Sequence, residues 1–87
     1  MASRLAVVRQ KACRDEVVSH RAVIRQMAVA LGLVNPRIRG DGILIVHSDE
    51  AGYRAAARLS AMVSDVVGRD VLVITDDVPG AAGGREL

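Results

Sequence analysis

Two histidines, one cysteine and a scatter of hydroxyls and acids are the groups in this chain with chemistry to offer. His20 adjoins Ser19 and lies near Cys13, and His47 adjoins Ser48. An imidazole beside a hydroxyl or thiol is the raw material of nucleophilic catalysis, in which the base removes the nucleophile's proton and a third group orients the base. The spacing indicates no such third group for either histidine. Asp76-Asp77 offers paired carboxylates of the kind that hold a divalent cation. Adjacent residues after a strand point to different sides, however, so the pair reads as a turn. Cys13 is the only cysteine, has no metal-ligand spacing around it, and reads as a small packing or surface thiol in a reducing compartment.

Patterned stretches must position these groups. From Arg4 to Leu31 apolar residues recur at helical spacing, Leu5, Val8 and Ala12 in one run and Val17, Ile24, Met27, Ala28 and Leu31 in the next. Arg14-Asp15-Glu16 and Ser19 interrupt the stripe, which leaves one long helix or two, with Ser19 as an N-cap of the second. Gly32 supplies the stop. Asn35-Pro36 places the start of a short strand near Arg37, because proline cannot sit centrally in a ladder. Gly40-Asp41-Gly42 then turns the chain into Ile43-Leu44-Ile45-Val46, apolar on both faces and short enough for a buried strand.

Ser48, Asp49 and Glu50 put cap-type oxygens and negative charge at the start of a helix that ends at Gly68. Ala56, Leu59, Met62, Val63 and Val66 fall on one face of it. Val71 to Thr75 reads as a third strand. The order helix, strand, strand, helix, strand gives an α/β (α+β) fold class, a small three-stranded mixed sheet packed against helices. The first two strands are expected antiparallel, and the third parallel through the helical crossover. Residues 1–78 form one domain, and residues 79–87 a flexible C-terminal tail with little to order it.

Composition bounds what such a domain can do. In 87 residues with no Phe, no Trp and one Tyr, the core is built from Val, Leu, Ile, Ala and Met, and a chain this size buries only about 60–65% of its unfolded surface. A partner that covers apolar surface would help it. Arginines at 4, 9, 14, 21 and 25 and Lys11 break up the N-terminal region, so neither a signal peptide nor a membrane span is expected, and the protein reads as soluble and cytoplasmic. The net charge is +2, yet residues 1–39 carry eight Lys/Arg against Asp15 and Glu16 while residues 40–87 carry four Arg against eight acids. Arg9, Arg14, Arg21 and Arg25 are therefore candidate contacts to an acidic protein surface or to nucleic acid.

The segments HRAVIRQMAVALGLVNPRIRG, DGILIV and GRDVLVITDD together resemble the minimal nucleotidyltransferase family, the MNT proteins of HEPN–MNT toxin–antitoxin pairs, over roughly residues 19–78. Asn35-Pro36-Arg37-Ile38, Gly68-Arg69, Val71 and Thr75 to Asp77 match the family's pattern as written. The resemblance implies a truncated nucleotidyltransferase-like fold. Family members hold magnesium with two carboxylates spaced two apart on one strand and a third on the next strand, and cradle phosphate in a Gly-Ser loop. Laid on that pattern, Asp41 is the first carboxylate, Ile43 stands at the second, Leu72 at the third, and Gly40 runs into Asp41 with the Gly-Ser loop missing.

Aliphatic side chains cannot ligate Mg²⁺, so no metal, no cofactor and no catalytic residue is expected. Ile43 and Leu72 are expected to have turned the site into core, with Asp41 left as a turn residue. The function that follows is a non-catalytic antitoxin-like protein that binds and masks a toxin of the HEPN ribonuclease type; a homodimer is a simpler use of the same surfaces. Two alternatives stand beside it. One is a nucleic-acid-binding module using the basic N-terminal helix; the other is a residual nucleotidyltransferase that has recruited other carboxylates such as Asp49 or Asp76.

Overall fold

The computed structural model describes residues 10–48 and 52–87. The expectations placed on Arg4, Leu5, Val8, Arg9, Asp49 and Glu50 lie outside the described residues. Two helices open the described chain, α1 (Arg14–Ser19) and α2 (Arg21–Ala30). Within the described part of the stripe there are two helices, and the break between them falls at His20. Ser19 is not the N-cap of the second: its hydroxyl donates back to the Glu16 carbonyl at 2.7 Å, and His20 Nδ1 lies 2.9 Å from the same oxygen. Both side chains close the end of α1, and that local competition for a carbonyl explains the break. Ala12 is also not helical. Its amide donates to the Asp70 carbonyl at 2.8 Å and the Asp70 amide donates to Gln10 at 2.9 Å, so an extended Gln10–Ala12 segment pairs with a partner far along the chain.

Among the described residues the sheet has four strands, β1 (Leu33–Ile38), β2 (Leu44–Ser48), β3 (Val73–Thr75) and β4 (Arg85–Glu86), in the order β3-β2-β1-β4. The mixed character matches expectation: β1 and β2 are antiparallel, and β3 returns parallel to β2 after α3 (Gly52–Val67). The count of three does not hold. Residues 79–87 were expected as a tail, yet Arg37 pairs with Glu86 and Ile38 with Arg85, the Leu87 amide donates to the Pro36 carbonyl at 3.0 Å, and the Leu87 side chain is buried. An otherwise unpaired edge of β1 and two buried apolar residues, Ala81 and Leu87, order a glycine-rich segment.

β1 begins earlier than Asn35-Pro36 suggested. Leu33 and Val34 already pair with Ser48 and His47, and the register shifts between Val34 and Arg37. Asn35 has φ of 54°. The proline is tolerated because it sits in this bulge, where no ladder donor is required.

Helices α2 and α3 cover one face of the sheet. Ile24 and Ala28 from α2, and Ala56, Leu59 and Val63 from α3, meet Leu33, Ile38, Leu44, Val46, Val71 and Val73 in one apolar cluster. On α3 the expected stripe shifts: Val66 is exposed and Ser64 is buried in its place. The reason is a hydrogen-bonding task, since Ser64 Oγ accepts the Val71 amide at 2.9 Å just before β3. By strand alternation Arg37, Ile45 and Ile74, aligned in register, point to the opposite face. The connection from β3 to β4 crosses the sheet, and on its way the Gly80 carbonyl accepts from Arg39.

Candidate functional site

The turn between β1 and β2 carries the positions that the nucleotidyltransferase resemblance singles out. Gly42 must be glycine. Its φ is 85°, and a Cβ there would stand 2.7 Å from the Ala12 carbonyl oxygen, so the turn folds tightly over the extended Gln10–Ala12 segment. Asp41 stays at the surface and is held by three groups. Arg39 Nη2 donates to its Oδ2 at 2.7 Å, Arg39 Nε to its Oδ1 at 3.3 Å, and the Ile43 amide to Oδ1 at 3.2 Å. These donors favour the ionised carboxylate and, with the Arg39 hydrogen bond foremost, pull its pKa down to about 2. Asp41 is the turn residue that the sequence suggested, and it is committed to an ion pair within its own loop.

The register of the parallel pair continues past Leu44 and Val73 toward Ile43 and Leu72, and the Leu44 amide donates to the Leu72 carbonyl at 2.9 Å. The three positions thus gather at one end of the β2–β3 pair. They have not become core, contrary to expectation: Ile43 is only half-buried and Leu72 is 51% exposed. Leu72 belongs to the alternation that faces away from α3, so its aliphatic character leaves apolar surface open instead of adding to the cluster. Gly40 is exposed and borders a cleft with Arg14, Ile38, Gly84 and Arg85. Among the described residues, no group of three or more His, Cys, Asp or Glu stands close enough to hold a metal ion.

At the other end of the same strands lies a pairing that spacing did not reveal. His47 Nδ1 sits 3.0 Å and 3.2 Å from the two carboxylate oxygens of Asp76. The parallel register makes the pair: Val46 pairs with Thr75, so the next residue of each strand, His47 and Asp76, stand side by side. A carboxylate that orients an imidazole is the arrangement used by general bases and by metal-ligating histidines. It sits at the carboxyl ends of parallel strands, the side on which open α/β sheets place their ligands. Asp77 takes no part, because it accepts from the Thr75 hydroxyl. Adjacent acids point apart here, as the sequence implied. The Cys13 and Ser19 groups do not join this site; Cys13 is exposed at the start of α1, where its amide donates to Glu16 at 3.1 Å, and that donation is the main cause of the lowered Glu16 pKa.

The candidate basic contacts divide between two helices. Arg14 opens α1, 3.7 Å from Asp15. Arg21 and Arg25 lie exposed on α2, one turn apart, and lead toward Val29, which is 74% exposed. Arg25 and Val29 form one wall of a groove of about 310 Å³ whose other wall is Leu33, Val34, Asn35 and Pro36 of β1, with Glu86 of β4 at its side. None of the helices among the described residues is long and apolar enough to cross a membrane. Comparisons with protein-family models, with curated proteins and with solved structures each return no match.

Proposed function

We propose that this chain is a non-catalytic, antitoxin-like interaction protein that binds and masks a partner toxin, of the HEPN ribonuclease type to which the minimal nucleotidyltransferase resemblance points. The observation that carries this reading is the state of Asp41. A carboxylate that must share a Mg²⁺ with substrate phosphates has to offer its oxygens to the ion, whereas here Oδ1 and Oδ2 are both taken by Arg39 and the Ile43 amide. The two aliphatic neighbours, Ile43 and Leu72, have no oxygen to add. Contact is the use left to these three positions.

Exposed apolar side chains support contact as the use. Val29, Val34, Leu72 and Tyr53 are between 46% and 80% exposed, on a small protein whose aliphatic core leaves little stability to spare. Masking would act sterically, by occupying the partner's active face or holding it in a distorted geometry, and calls for no cofactor. The test is co-purification from cells that carry the chain naturally, in about 0.5 M salt, where exposed charge contacts alone are screened, followed by assay of the partner's ribonuclease activity. The reading expects one protein partner whose activity falls on complex formation. Magnesium-dependent transfer of labelled nucleotide to that partner, lost in Asp41→Ala, would replace it with the enzymatic reading. Binding of RNA or DNA with steep salt dependence and no protein partner would replace it with the nucleic-acid reading.

A further inference from the structure

Helix α2 breaks two local rules at once. Arg21 places a cation in the first turn, where the helix dipole favours an anion, and Arg25 follows one turn later, a like-charge pair that costs the isolated helix a little stability. No acid lies anywhere in Arg21–Ala30 to offset them, and neither guanidinium has a carboxylate paired to it among the described residues. Folding does not call for this arrangement. The ridge that begins with Arg21 and Arg25 continues at the same spacing to Val29, then drops into the groove against Val34 and Pro36 of β1. Places where local sequence rules fail without a gain to the fold are the places to look for binding.

We infer that the α2–β1 groove is the docking site of this interaction protein, and that its occupant is a segment of the partner protein bearing a large apolar side chain with carboxylates beside it. The inference rests on the proposed interaction function and names the surface and the chemistry of its partner. An apolar anchor seated between Val29 and Val34 covers two exposed valines and the proline ring, and carboxylates along the ridge pair with Arg21 and Arg25. A second apolar pocket, lined by Tyr53, Leu72, Ile74 and Val78 at the β3 edge, has no basic side chain in its lining. A nucleic-acid backbone fits the groove less well. Phosphates would satisfy the arginines but leave Val29 and Val34 uncovered.

The inference is tested by photo-crosslinking in the full chain. Benzoyl-phenylalanine is placed at Val29 and, in a second variant, at Tyr53 in the pocket at the β3 edge; both positions are exposed enough to accept it. The variants are expressed in the source cells, irradiated, and the adducts mapped by mass spectrometry. The expected result is a protein adduct from position 29 and not from position 53, in a partner segment with net negative charge around an apolar residue. The double variant Arg21→Glu and Arg25→Glu should lower its yield by at least about tenfold, and Arg21→Lys with Arg25→Lys should largely preserve it. A protein adduct from position 53 alone overturns the groove assignment and leaves the interaction function standing. An adduct from position 29 to a second copy of this chain, to nucleic acid, or to a basic or charge-insensitive segment also overturns it. No adduct from either position, with no protein co-purified, removes both readings together.

Discussion

Asp41 is where the functional reading meets a number that can be measured. Its pKa is held at about 2 by Arg39 and the Ile43 amide, below the ordinary 3.8. Because the folded value is depressed, the pair's contribution to stability is fully present above pH 3.8 and fades as pH falls through about 2. An NMR titration of the Asp41 carboxyl should therefore show a midpoint near 2, and Arg39→Ala should return it toward the ordinary aspartate range; a wild-type midpoint at the ordinary value would mean the ion pair does not form in solution. Gly42→Ala should destabilise by about 2 kcal/mol or more, since it combines a left-handed φ with a contact on the Ala12 carbonyl, and an unchanged urea midpoint would contradict the tight passage of the chain there. At this scale the sequence was readable where chemistry is local: Asp41-Gly42 as a turn, and Asp76-Asp77 as acids pointing apart. His47 with Asp76 was not readable, because 29 residues separate them and only the register of two strands brings them together.

Elements were legible in proportion to how much of their order is their own. The strand Leu44–Ser48, expected at Ile43 to Val46, the helix that closes before Gly68 and the parallel return at Val73–Thr75, expected from Val71, follow from periodicity and stop signals to within two residues, because burial on the helix-bearing face sets both pattern and structure. Elements ordered by distant partners were missed. Gln10–Ala12 is extended because Asp70 pairs with it, and Arg85–Glu86 is a strand because β1 has a second edge to fill. Neither partner is written into the segment's own composition. The fourth strand makes a prediction at this scale: truncation after Gly84 removes two backbone pairings and the buried Leu87, and should lower unfolding free energy by about 2–4 kcal/mol in urea denaturation. Full retention of stability would show that β4 holds nothing. On α3, Ser64→Ala should cost about 1–3 kcal/mol, because the Val71 amide loses its acceptor in a buried setting, whereas Val66→Ala on the exposed side should change stability by less than about 1 kcal/mol.

For the whole molecule, the fold class was within reach of sequence reasoning, and the fate of the ancestral-looking site was only half so. Ile43 and Leu72 were both expected in the core, yet Ile43 is half-buried and Leu72 exposed, because Leu72 alternates with Val71 and Val73, which take the helix-covered face. The consequence runs in favour of contact: Leu72 remains on the surface, as do Val29 and Val34 beside Arg25 in the α2–β1 groove. The central claim is that Asp41, Ile43 and Leu72 do not compose a magnesium–nucleotide site. It is tested most directly by recording backbone amide spectra of the full chain while Mg²⁺ and a non-hydrolysable nucleoside triphosphate are added together. The account predicts that the amides of Asp41, Ile43, Leu44 and Leu72 stay in place at millimolar ligand. Saturable, Mg²⁺-dependent shifts centred on those four residues would contradict it.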